Sequence, residues 1–314
     1  MKTIFIDGQH GTTGLQILDR LKARQDLELL EIPEEQRKNV DAKAAYLNQA
    51  DLVILCLPDD AARESVGLIT NPQTKVIDAS TAHRTANGWA YGLPELHKEQ
   101  RMHLQTAMRV TNPGCYPTGF ILALHPLIQQ QIVPKDYPVT VHAISGYSGG
   151  GKSLITKYQG VSADRLEAVT TRPYAFTLKH KHVPEMQKLT GLEFPPLFTP
   201  IVGNFHQGML VSIPLVSRLL KGNPSAVDVH KVLADYYVGE HFVKVMPFGG
   251  ENALDGGFLS PIGCNGTNMI ELFVFGHEEQ ILLVARLDNL GKGASGAAVQ
   301  NLNIMLGFDE HIGL

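Results

Sequence analysis

The chain has 314 residues and a formal net charge of -4 at pH 7. A chain of this length is longer than one that usually folds around a single hydrophobic core, so we expect two domains. The charge balance provides no broad basic field for nucleic acid or an anionic membrane, which favours small molecules or a second copy of the chain as partners. No apolar run reaches the roughly 18 to 20 residues of a spanning helix, and MKTIFIDGQHG lacks the features of a signal peptide. A cytoplasmic location is therefore expected.

The first part of the chain alternates between strand and helix patterns. The patterns follow in the order strand KTIFID, glycine turn GQHGTTG, helix LQILDRLKAR, strand LELLEI, helix AAYLNQA, strand DLVILCLP, helix DAARESVGLI and strand KVIDAS. Such alternation predicts an α/β fold in which a Rossmann-type, doubly wound parallel sheet is covered by helices.

After about residue 135 the pattern changes to longer β-rich runs. They are PVTVHAISGYSGGG, TPIVGNFHQGMLVSIPLV, HFVKVMPF, TNMIELFVFG and QILLVARLD. These runs predict an α+β domain with an open, mixed sheet. The last 22 residues return to a helical pattern, with Ala298, Leu302, Met305 and Leu306 on one apolar stripe.

The glycine turn has features of a dinucleotide site. Gly8, Gly11 and Gly14 form GxxGxxG directly after a predicted strand and before a predicted helix. There, backbone amides and the positive helix end can receive a pyrophosphate, and Thr12 and Thr13 can add hydroxyl donors. The alternative is an ordinary glycine turn of an α/β sheet, which the context makes less favoured.

The choice between NAD and NADP stays open on the residues alone. Glu31 at the end of the second strand would bind a ribose hydroxyl and favour NAD, whereas Arg37 and Lys38 would pair with a 2′-phosphate and favour NADP. Ser80 follows a predicted strand and is expected near the cofactor. Arg84 is expected to serve either substrate or structure.

The three cysteines are too few and too scattered for a disulfide framework or a CxxC metal site, so each is expected to be a free thiol. Cys56 in VILCLP and Cys264 in PIGCNG are predicted to be structural. Cys115 differs, because it follows Gly114 and precedes Pro117, a residue favoured in the first turn of a helix. The positive end of that helix favours a thiolate, which is the nucleophile of covalent catalysis.

Paired histidines in KHKHVPE are acid–base candidates. His180 and His182 are two residues apart and would lie on one side of an extended segment. An exposed basic segment is one alternative, and a zinc site completed by Glu185 is another, less favoured one. His206 in NFHQG is a second acid–base candidate.

Small residues and hydrogen-bond donors are concentrated in SGYSGGGK. Ser145, Ser148 and the neighbouring amides would bind a departing phosphate or a substrate carboxylate as an anion nest. A flexible turn without a ligand explains the same composition equally well.

These motifs together resemble the N-acetyl-γ-glutamyl-phosphate reductase family, within the wider aspartate-semialdehyde dehydrogenase group. The resembling stretches are GQHGTTG, VIDASTAHR, YGLPEL, TNPGCYPTG, SGYSGGGK, KHKHVPE, GNFHQGM and DNLGKGASGAAVQNLN, which extend from residue 8 to residue 303. TNPGCYPTG is highly specific, whereas GQHGTTG is not. The compact length and GNFHQGM are similar to the shorter of the family's two branches.

The resemblance implies NADPH-dependent reduction of N-acetyl-L-glutamyl 5-phosphate to N-acetyl-L-glutamate 5-semialdehyde and phosphate, in arginine biosynthesis. It implies Cys115 as the nucleophile that forms a thioester and His182 as the acid–base residue. His180 is implied as a substrate-binding neighbour and Glu185 as an orienting carboxylate. Asn112, together with the two serines of SGYSGGGK, is expected to bind substrate or phosphate.

The resemblance also implies a domain order that periodicity does not reveal. Residues 1–116 and 293–314 are expected to form the NADP-binding domain, and residues 117–292 the catalytic and oligomerisation domain of a dimer or tetramer. No metal is expected. Two alternatives remain: a related reductase of aspartyl or carrier-linked glutamyl or aminoadipyl phosphate, and a non-catalytic NADP-binding sensor.

Overall fold

A computed structural model of the chain describes residues 1–161 and 169–314. The chain divides into two compact units. Unit 1 consists of Met1–Gly114 and Ala294–Leu314, and unit 2 consists of Cys115–Gly293. The sequence-based prediction placed the corresponding boundaries at 116/117 and 292/293.

The first stretch of unit 1 alternates between strands and helices. Its elements are β1 (Lys2–Asp7), α1 (Thr12–Leu21), β2 (Leu27–Leu30), α2 (Val40–Gln49), β3 (Leu52–Leu55), α3 (Asp59–Gly67), β4 (Lys75–Asp78), β5 (Ala90–Tyr91), α4 (Gln100–Thr106) and β6 (Arg109–Thr111). The six strands form one parallel sheet in the order β2-β1-β3-β4-β6-β5. The predicted parallel sheet is thereby confirmed.

Unit 2 contains a larger, mixed sheet. Its elements are α5 (Cys115–Gln129), β7 (Thr140–Gly146), α6 (Gly151–Gln159), β8 (Arg172–Pro173), α7 (Val183–Thr190), β9 (Leu197–Gly203), β10 (Met209–Val216), α8 (Ala226–Tyr236), β11 (Val243–Val245), β12 (Ile270–Gly276) and β13 (Gln280–Leu287). Within the described residues of this unit, seven strands lie in the order β11-β12-β13-β10-β7-β9-β8, with parallel pairs at β11/β12 and β7/β9. The open mixed sheet is as predicted.

The sheet of unit 1 is buried on both faces. Neighbouring residues of a strand point to opposite faces, so one strand contributes side chains to two separate cores. Ile4 and Ile6 belong to a core cluster with residues of α1 and α4. Phe5, between them, belongs to a second cluster with residues of α2 and α3. This two-sided core is the doubly wound arrangement that the sequence predicts.

The last helix of the chain, α9 (Gly296–Leu306), belongs to unit 1. The predicted apolar stripe is confirmed, because Ala298, Leu302 and Met305 lie in one core cluster of unit 1 and Leu306 packs against it. Burial extends beyond the stripe, since residues 296–305 are all buried. The polar side chains of this helix find partners in neighbouring backbone: Asn301 donates to the carbonyl of Gly92 at 2.9 Å, and Asn303 donates to that of Ile312 at 2.9 Å. Neighbouring segments of the chain therefore cover the faces that a stripe would leave to solvent.

In unit 2, helix α5 packs on one face of the mixed sheet. A Cβ at Gly119 would lie 2.9 Å from the Val211 side chain and 3.2 Å from that of Ala285, so glycine allows close approach of the helix. We call the sheet face that carries Val211 and Ala285 the inner face, and the opposite one the outer face. In the described part of the chain, every helix is too short or too polar to cross a membrane.

Candidate active site

Cys115 is the first residue of α5, the position that the TNPGCYP pattern predicts. Its side chain is partly exposed, whereas almost all of the helix behind it is buried. A Cβ at Gly293 would lie 2.7 Å from the Cys115 Cβ, so only glycine lets the chain pass the cysteine this closely. The positive end of α5 favours negative charge at this position.

An aromatic cluster of unit 2 surrounds the residue next to the cysteine. The Tyr116 ring centroid lies 5.9 Å from those of His180 and His182, and 5.0 Å from that of Phe198. The two histidine rings are 4.8 Å apart, and the Tyr174 ring lies 5.8 Å from His180. The cysteine helix and the histidine segment are thus brought together.

Hydrogen bonds in this cluster fix the tautomer of His180. The backbone N–H of His182 donates to His180 Nδ1 at 3.1 Å, so neutral His180 carries its proton on Nε2. Nε2 lies 3.4 Å from the Tyr174 hydroxyl, which donates to the Tyr116 hydroxyl at 3.3 Å. The hydrogen bonds therefore run in one direction from the histidine segment to α5.

Burial controls the protonation of this cluster. It lowers the pKa of His180 to about 4 and raises the pKa of Tyr174 to about 12. It also raises the pKa of Tyr116 well above its usual range, and negative charge on Cys115 acts in the same direction on both tyrosines. At neutral pH the imidazole of His180 and both phenols are uncharged.

The two histidines of KHKHVPE lie together, although the segment is not extended at His182. His182 is the N-cap of α7 and has helical backbone angles, and Pro184 occupies the first turn, where its missing N–H costs nothing. The two histidine rings lie together because the chain turns into a helix there. Glu185, three residues after His182 and therefore a neighbour on the helix surface, is 1% exposed.

The glycine turn of unit 1 lies between β1 and α1. Gly8 has φ +87°, and a Cβ there would collide with the backbone carbonyl oxygen of Cys56. A Cβ at Gly14 would lie 2.5 Å from the Gly8 carbonyl oxygen. Gly11 is exposed, and the nearest atom to a Cβ placed there would be the Gly8 carbonyl oxygen at 3.4 Å. The start of the helix is therefore open at this position. This cradle fits a pyrophosphate group.

Thr12 and Thr13 begin α1 and are partly exposed. Arg37 is partly buried with its Nη1 3.9 Å from Glu34, whereas Lys38 is exposed. Glu31 directly follows β2 and is exposed. The geometry therefore leaves both candidate ribose contacts accessible.

Ser80 lies two residues beyond the end of β4, but its hydroxyl donates to the buried carboxylate of Asp78 at 2.8 Å. Arg84 donates to the carbonyl of Ala79 at 3.1 Å. Ser80, expected near the cofactor, and Arg84, expected to serve substrate or structure, thus both contribute to the structure of the loop after β4.

The SGYSGGGK segment ends β7 and begins α6. Ser145 and Ser148 are buried, whereas Gly149 and Gly150 are exposed. The Ser148 hydroxyl accepts a hydrogen bond from Asn289 at 3.0 Å, and Ser145 donates to the Gly146 carbonyl at 3.2 Å. The backbone of this turn is therefore its accessible part.

Asn112 holds α9 rather than facing open space. Its amide donates to the Ala294 carbonyl at 2.8 Å, and its oxygen accepts from Asn301 at 3.3 Å. His206 is exposed and its ring lies 5.4 Å from that of Tyr147. The ring contact of His206 is thus with Tyr147, which is not one of the rings around Tyr116.

The structure places none of the three cysteines in a disulfide bond, in line with the expected thiols. Burial raises the pKa of Cys56 and that of Cys264 to about 12. Cys56 packs against the core of unit 1, and Cys264 is buried beside Glu271 and Arg286. Neither thiol is available as a thiolate at neutral pH.

The motifs of the sequence do not predict a role for Tyr116 and Tyr174. Tyr116 stands next to Cys115 in TNPGCYP, so its position was a usable signal. Tyr174 lies 58 residues further along the chain, and no spacing pattern connects it to the cysteine. Among residues 1–161 and 169–314, no group of three or more histidine, cysteine or acidic residues has the arrangement of a metal site.

Comparison with protein families finds two matches that together cover most of the chain. The family described as "Semialdehyde dehydrogenase, NAD binding domain" matches residues 3–103. The family described as "Semialdehyde dehydrogenase, dimerisation domain" matches residues 115–289.

Curated relatives match over nearly the full length. The chain is 55% identical to N-acetyl-gamma-glutamyl-phosphate reductase 2 of Nostoc sp., over 99% of this chain and 98% of the relative. It is 50% identical to N-acetyl-gamma-glutamyl-phosphate reductase 2 of Pseudomonas putida, over 97% of this chain and 96% of the relative. Among solved structures, aspartate semialdehyde dehydrogenase II of Vibrio cholerae is 18% identical with a TM-score of 0.74, and covers 98% of this chain and 99% of its own. That likeness establishes a shared fold.

Proposed function

Because the chain belongs to the N-acetyl-gamma-glutamyl-phosphate reductases of the semialdehyde dehydrogenase family, we propose that it reduces N-acetyl-L-glutamyl 5-phosphate to N-acetyl-L-glutamate 5-semialdehyde. NADPH is the reductant and phosphate is released, in arginine biosynthesis. The observation that carries the proposal is a cysteine at a helix start whose next residue contacts a histidine pair.

Cys115 is the proposed nucleophile. Its thiolate attacks the acyl carbon, so that a carbon–sulfur bond forms while the bond from carbon to the phosphate oxygen breaks and phosphate leaves with the electron pair. The start of α5 stabilises the thiolate before attack. Cys56 and Cys264 are unsuited to the same step because burial keeps them protonated.

His182 is the proposed acid–base residue. It protonates the oxygen of the thiohemiacetal formed on Cys115 and takes the proton back when the carbon–sulfur bond breaks. His180 suits this task less, because hydrogen bonds from His182 and to Tyr174 already engage its two ring nitrogens. The low pKa of His180 also leaves it without a second proton at neutral pH. Glu185 is the proposed orienting carboxylate.

The glycine turn of unit 1 is the proposed NADP site. Gly8, Gly11 and Gly14 would leave room for the pyrophosphate, with Thr12 and Thr13 as hydroxyl donors. When bound, NADPH supplies the hydride that reduces the thioester. Arg37 and Lys38 are the proposed partners of the 2′-phosphate.

Ser80 is proposed to support the loop beside the cofactor. Ser145, Ser148 and the exposed turn that follows them are the proposed site of the departing phosphate. The amide of Asn112 is hydrogen-bonded to Ala294 and Asn301 within unit 1. Asn112 is therefore proposed to affect substrate binding by positioning its neighbours.

A homo-oligomer, as a dimer or tetramer, is proposed to form through unit 2. The outer face of its sheet carries half-buried apolar side chains, namely Ile144, Ile201, Leu210, Phe275 and Leu282. The family that matches this unit is described as a dimerisation domain. A second copy on this face would remove the apolar surface from water. The proposed location is the cytoplasm.

The test is phosphate-dependent NADP+ reduction, which is the proposed reaction in reverse. N-acetylglutamate semialdehyde is expected to support turnover only when phosphate is present, and aspartate semialdehyde is expected to support little. Preference for aspartate semialdehyde would replace the proposed substrate by a related acyl phosphate. NADPH binding without turnover of either aldehyde would favour a non-catalytic sensor.

A further inference from the structure

Arg172 lies on the inner face of the unit 2 sheet, the face on which α5 packs. It pairs with Val202 of β9, and Val202 pairs with Ser145 of β7. Ser145 in turn pairs with Met209 of β10. Directly opposed residues share a sheet face, and Met209 is two residues from Val211 on the inner face. The register therefore puts the arginine on the same side of the sheet as the cysteine helix.

Tyr174 connects Arg172 to the cysteine cluster. It is two residues after Arg172, and its backbone N–H continues the pairing of β8 by donating to Pro200 at 3.1 Å. Alternation along an extended segment puts both side chains on the inner face. The Tyr174 hydroxyl contacts Tyr116, the residue next to Cys115. Arg172 is therefore the neighbour, on the same sheet face, of a residue that contacts the cysteine helix.

The Arg172 guanidinium is held in place by Tyr158. Its Nη2 donates to the Tyr158 hydroxyl at 3.2 Å, and its central carbon lies 5.4 Å from the ring centroid. The Tyr158 hydroxyl donates in turn to the Thr170 carbonyl at 3.3 Å, and its ring stacks on Tyr147 at 4.8 Å. The guanidinium is therefore oriented by Tyr158 through a hydrogen bond and a cation–π contact.

No carboxylate in residues 1–161 or 169–314 forms an ion pair with Arg172. A guanidinium has five N–H donors in a planar fork, and only one of its hydrogen bonds is made within these residues. The side chain is also partly exposed. An oriented, accessible cation of this kind is suited to bidentate binding of a carboxylate.

We propose that Arg172 binds the free carboxylate of the acyl substrate and so selects for substrates that carry it. The proposal rests on the proposed function, in which the substrate has two anionic groups. The phosphate is attached to the carbon that Cys115 attacks, whereas the carboxylate is at the other end of the carbon chain. Arg172 neighbours Tyr174, which contacts Tyr116 next to Cys115, so its position suits the distant carboxylate rather than the reacting acyl phosphate.

The test compares two aldehydes in phosphate-dependent NADP+ reduction: N-acetylglutamate semialdehyde, and 4-acetamidobutanal, which has the same chain without the carboxylate. Arg172→Gln should lower kcat/KM for the first aldehyde about 100-fold, mainly through KM, and leave the second within about twofold. Arg172→Lys should lose about 10-fold on the first aldehyde only, because it keeps the charge but loses the fork. KM for phosphate should not change in either variant.

Arg218→Gln is the matched control, since Arg218 is an exposed arginine of the same unit, and it should change neither aldehyde. Equal losses on both aldehydes would assign Arg172 a structural role and overturn the proposal. A raised KM for phosphate with unchanged aldehyde preference would assign it to phosphate and overturn it as well. If Arg172→Gln does not fold, the lysine variant alone decides between these outcomes. A wild-type chain that oxidises neither aldehyde would reject the proposed function itself, which separates the two failures.

Discussion

The hydroxyl group of Tyr174 lies 3.3 Å from that of Tyr116, the residue directly after Cys115. The same hydroxyl lies 3.4 Å from His180 Nε2. Burial raises the pKa of Tyr174 to about 12, and the nearby Cys115 acts in the same direction. Both phenols therefore remain neutral donors at physiological pH, and they connect the cysteine helix to the histidine segment without adding charge.

Replacing His182 should affect turnover and not cofactor affinity. We expect His182→Asn to lower kcat by about 10² or more, because positioned proton transfer is worth about that much. Steady-state kinetics and an NADPH titration check the two expectations. His206→Asn is the matched control and should be nearly silent, since His206 is exposed and outside the cluster. The reverse result would transfer the acid–base role to His206, and inhibition by a chelator that zinc restores would revive a metal site.

His180 should make the stability of the chain sensitive to acid. Its pKa is about 4 in the folded chain, against about 6.5 in an unfolded chain, so the unfolded state binds more protons between these values. The stabilising contribution is fully present above pH 6.5 and is lost as the pH falls towards 4.

The measurement is chemical denaturation at pH 7.5 and pH 5, followed by far-ultraviolet circular dichroism. Wild-type protein should lose more unfolding free energy between these pH values than His180→Asn, whereas the exposed His103→Asn should behave as wild type. Equal losses in wild type and His180→Asn would contradict the assigned pKa shift.

Much of the fold could be predicted because its signals are local. Ile4, Phe5 and Ile6 alternate between two cores, and a continuous apolar run of this kind is typical of a strand covered on both faces. The complete burial of α9 could not be predicted from the sequence, because polar residues such as Asn301 and Asn303 usually face solvent on a helix. Their partners, Gly92 and Ile312, are defined only by the folded chain.

Arg37 and Lys38 should govern the choice of cofactor. Arg37→Ala combined with Lys38→Ala should weaken NADPH binding more than NADH binding, because only NADPH has the 2′-phosphate. Fluorescence titrations with both cofactors provide the comparison, and the exposed Lys98→Ala serves as the control. An equal effect on both cofactors would remove the pair from this role.

Leu302 should contribute strongly to the stability of unit 1. It is 0% exposed on α9, so Leu302→Ala should lower the unfolding free energy by about 2 to 5 kcal/mol. Leu15, which is 43% exposed on α1, is the control, and Leu15→Ala should lower the unfolding free energy by less than about 1 kcal/mol. Trp89 is the single tryptophan and belongs to unit 1, so its fluorescence reports this unfolding. Equal costs would argue against burial of α9.

The candidate site was predictable only where the residues adjoin each other in sequence. Cys115 at the start of a helix follows from its neighbours Gly114 and Pro117. The contribution of Tyr174 could not be predicted, since it depends on the pairing of β8 with β9, which brings distant segments onto one sheet face. The spacing of His180 and His182 brings them to one side only if the segment is extended, whereas the chain brings them together through the helix cap at His182.

The central claim is that Cys115 forms a covalent thioester, and a reaction without phosphate tests it most directly. Protein mixed with NADP+ and N-acetylglutamate semialdehyde, but no phosphate, should form about one NADPH per active chain and then stop, because the thioester has no acceptor. Mass spectrometry should find the N-acetylglutamyl group on the peptide that contains Cys115. Cys115→Ser should fold, bind NADPH and form no NADPH in this experiment, whereas Cys56→Ser and Cys264→Ser should behave nearly as wild type. A full burst from Cys115→Ser, or an acyl group on another residue, would contradict the account.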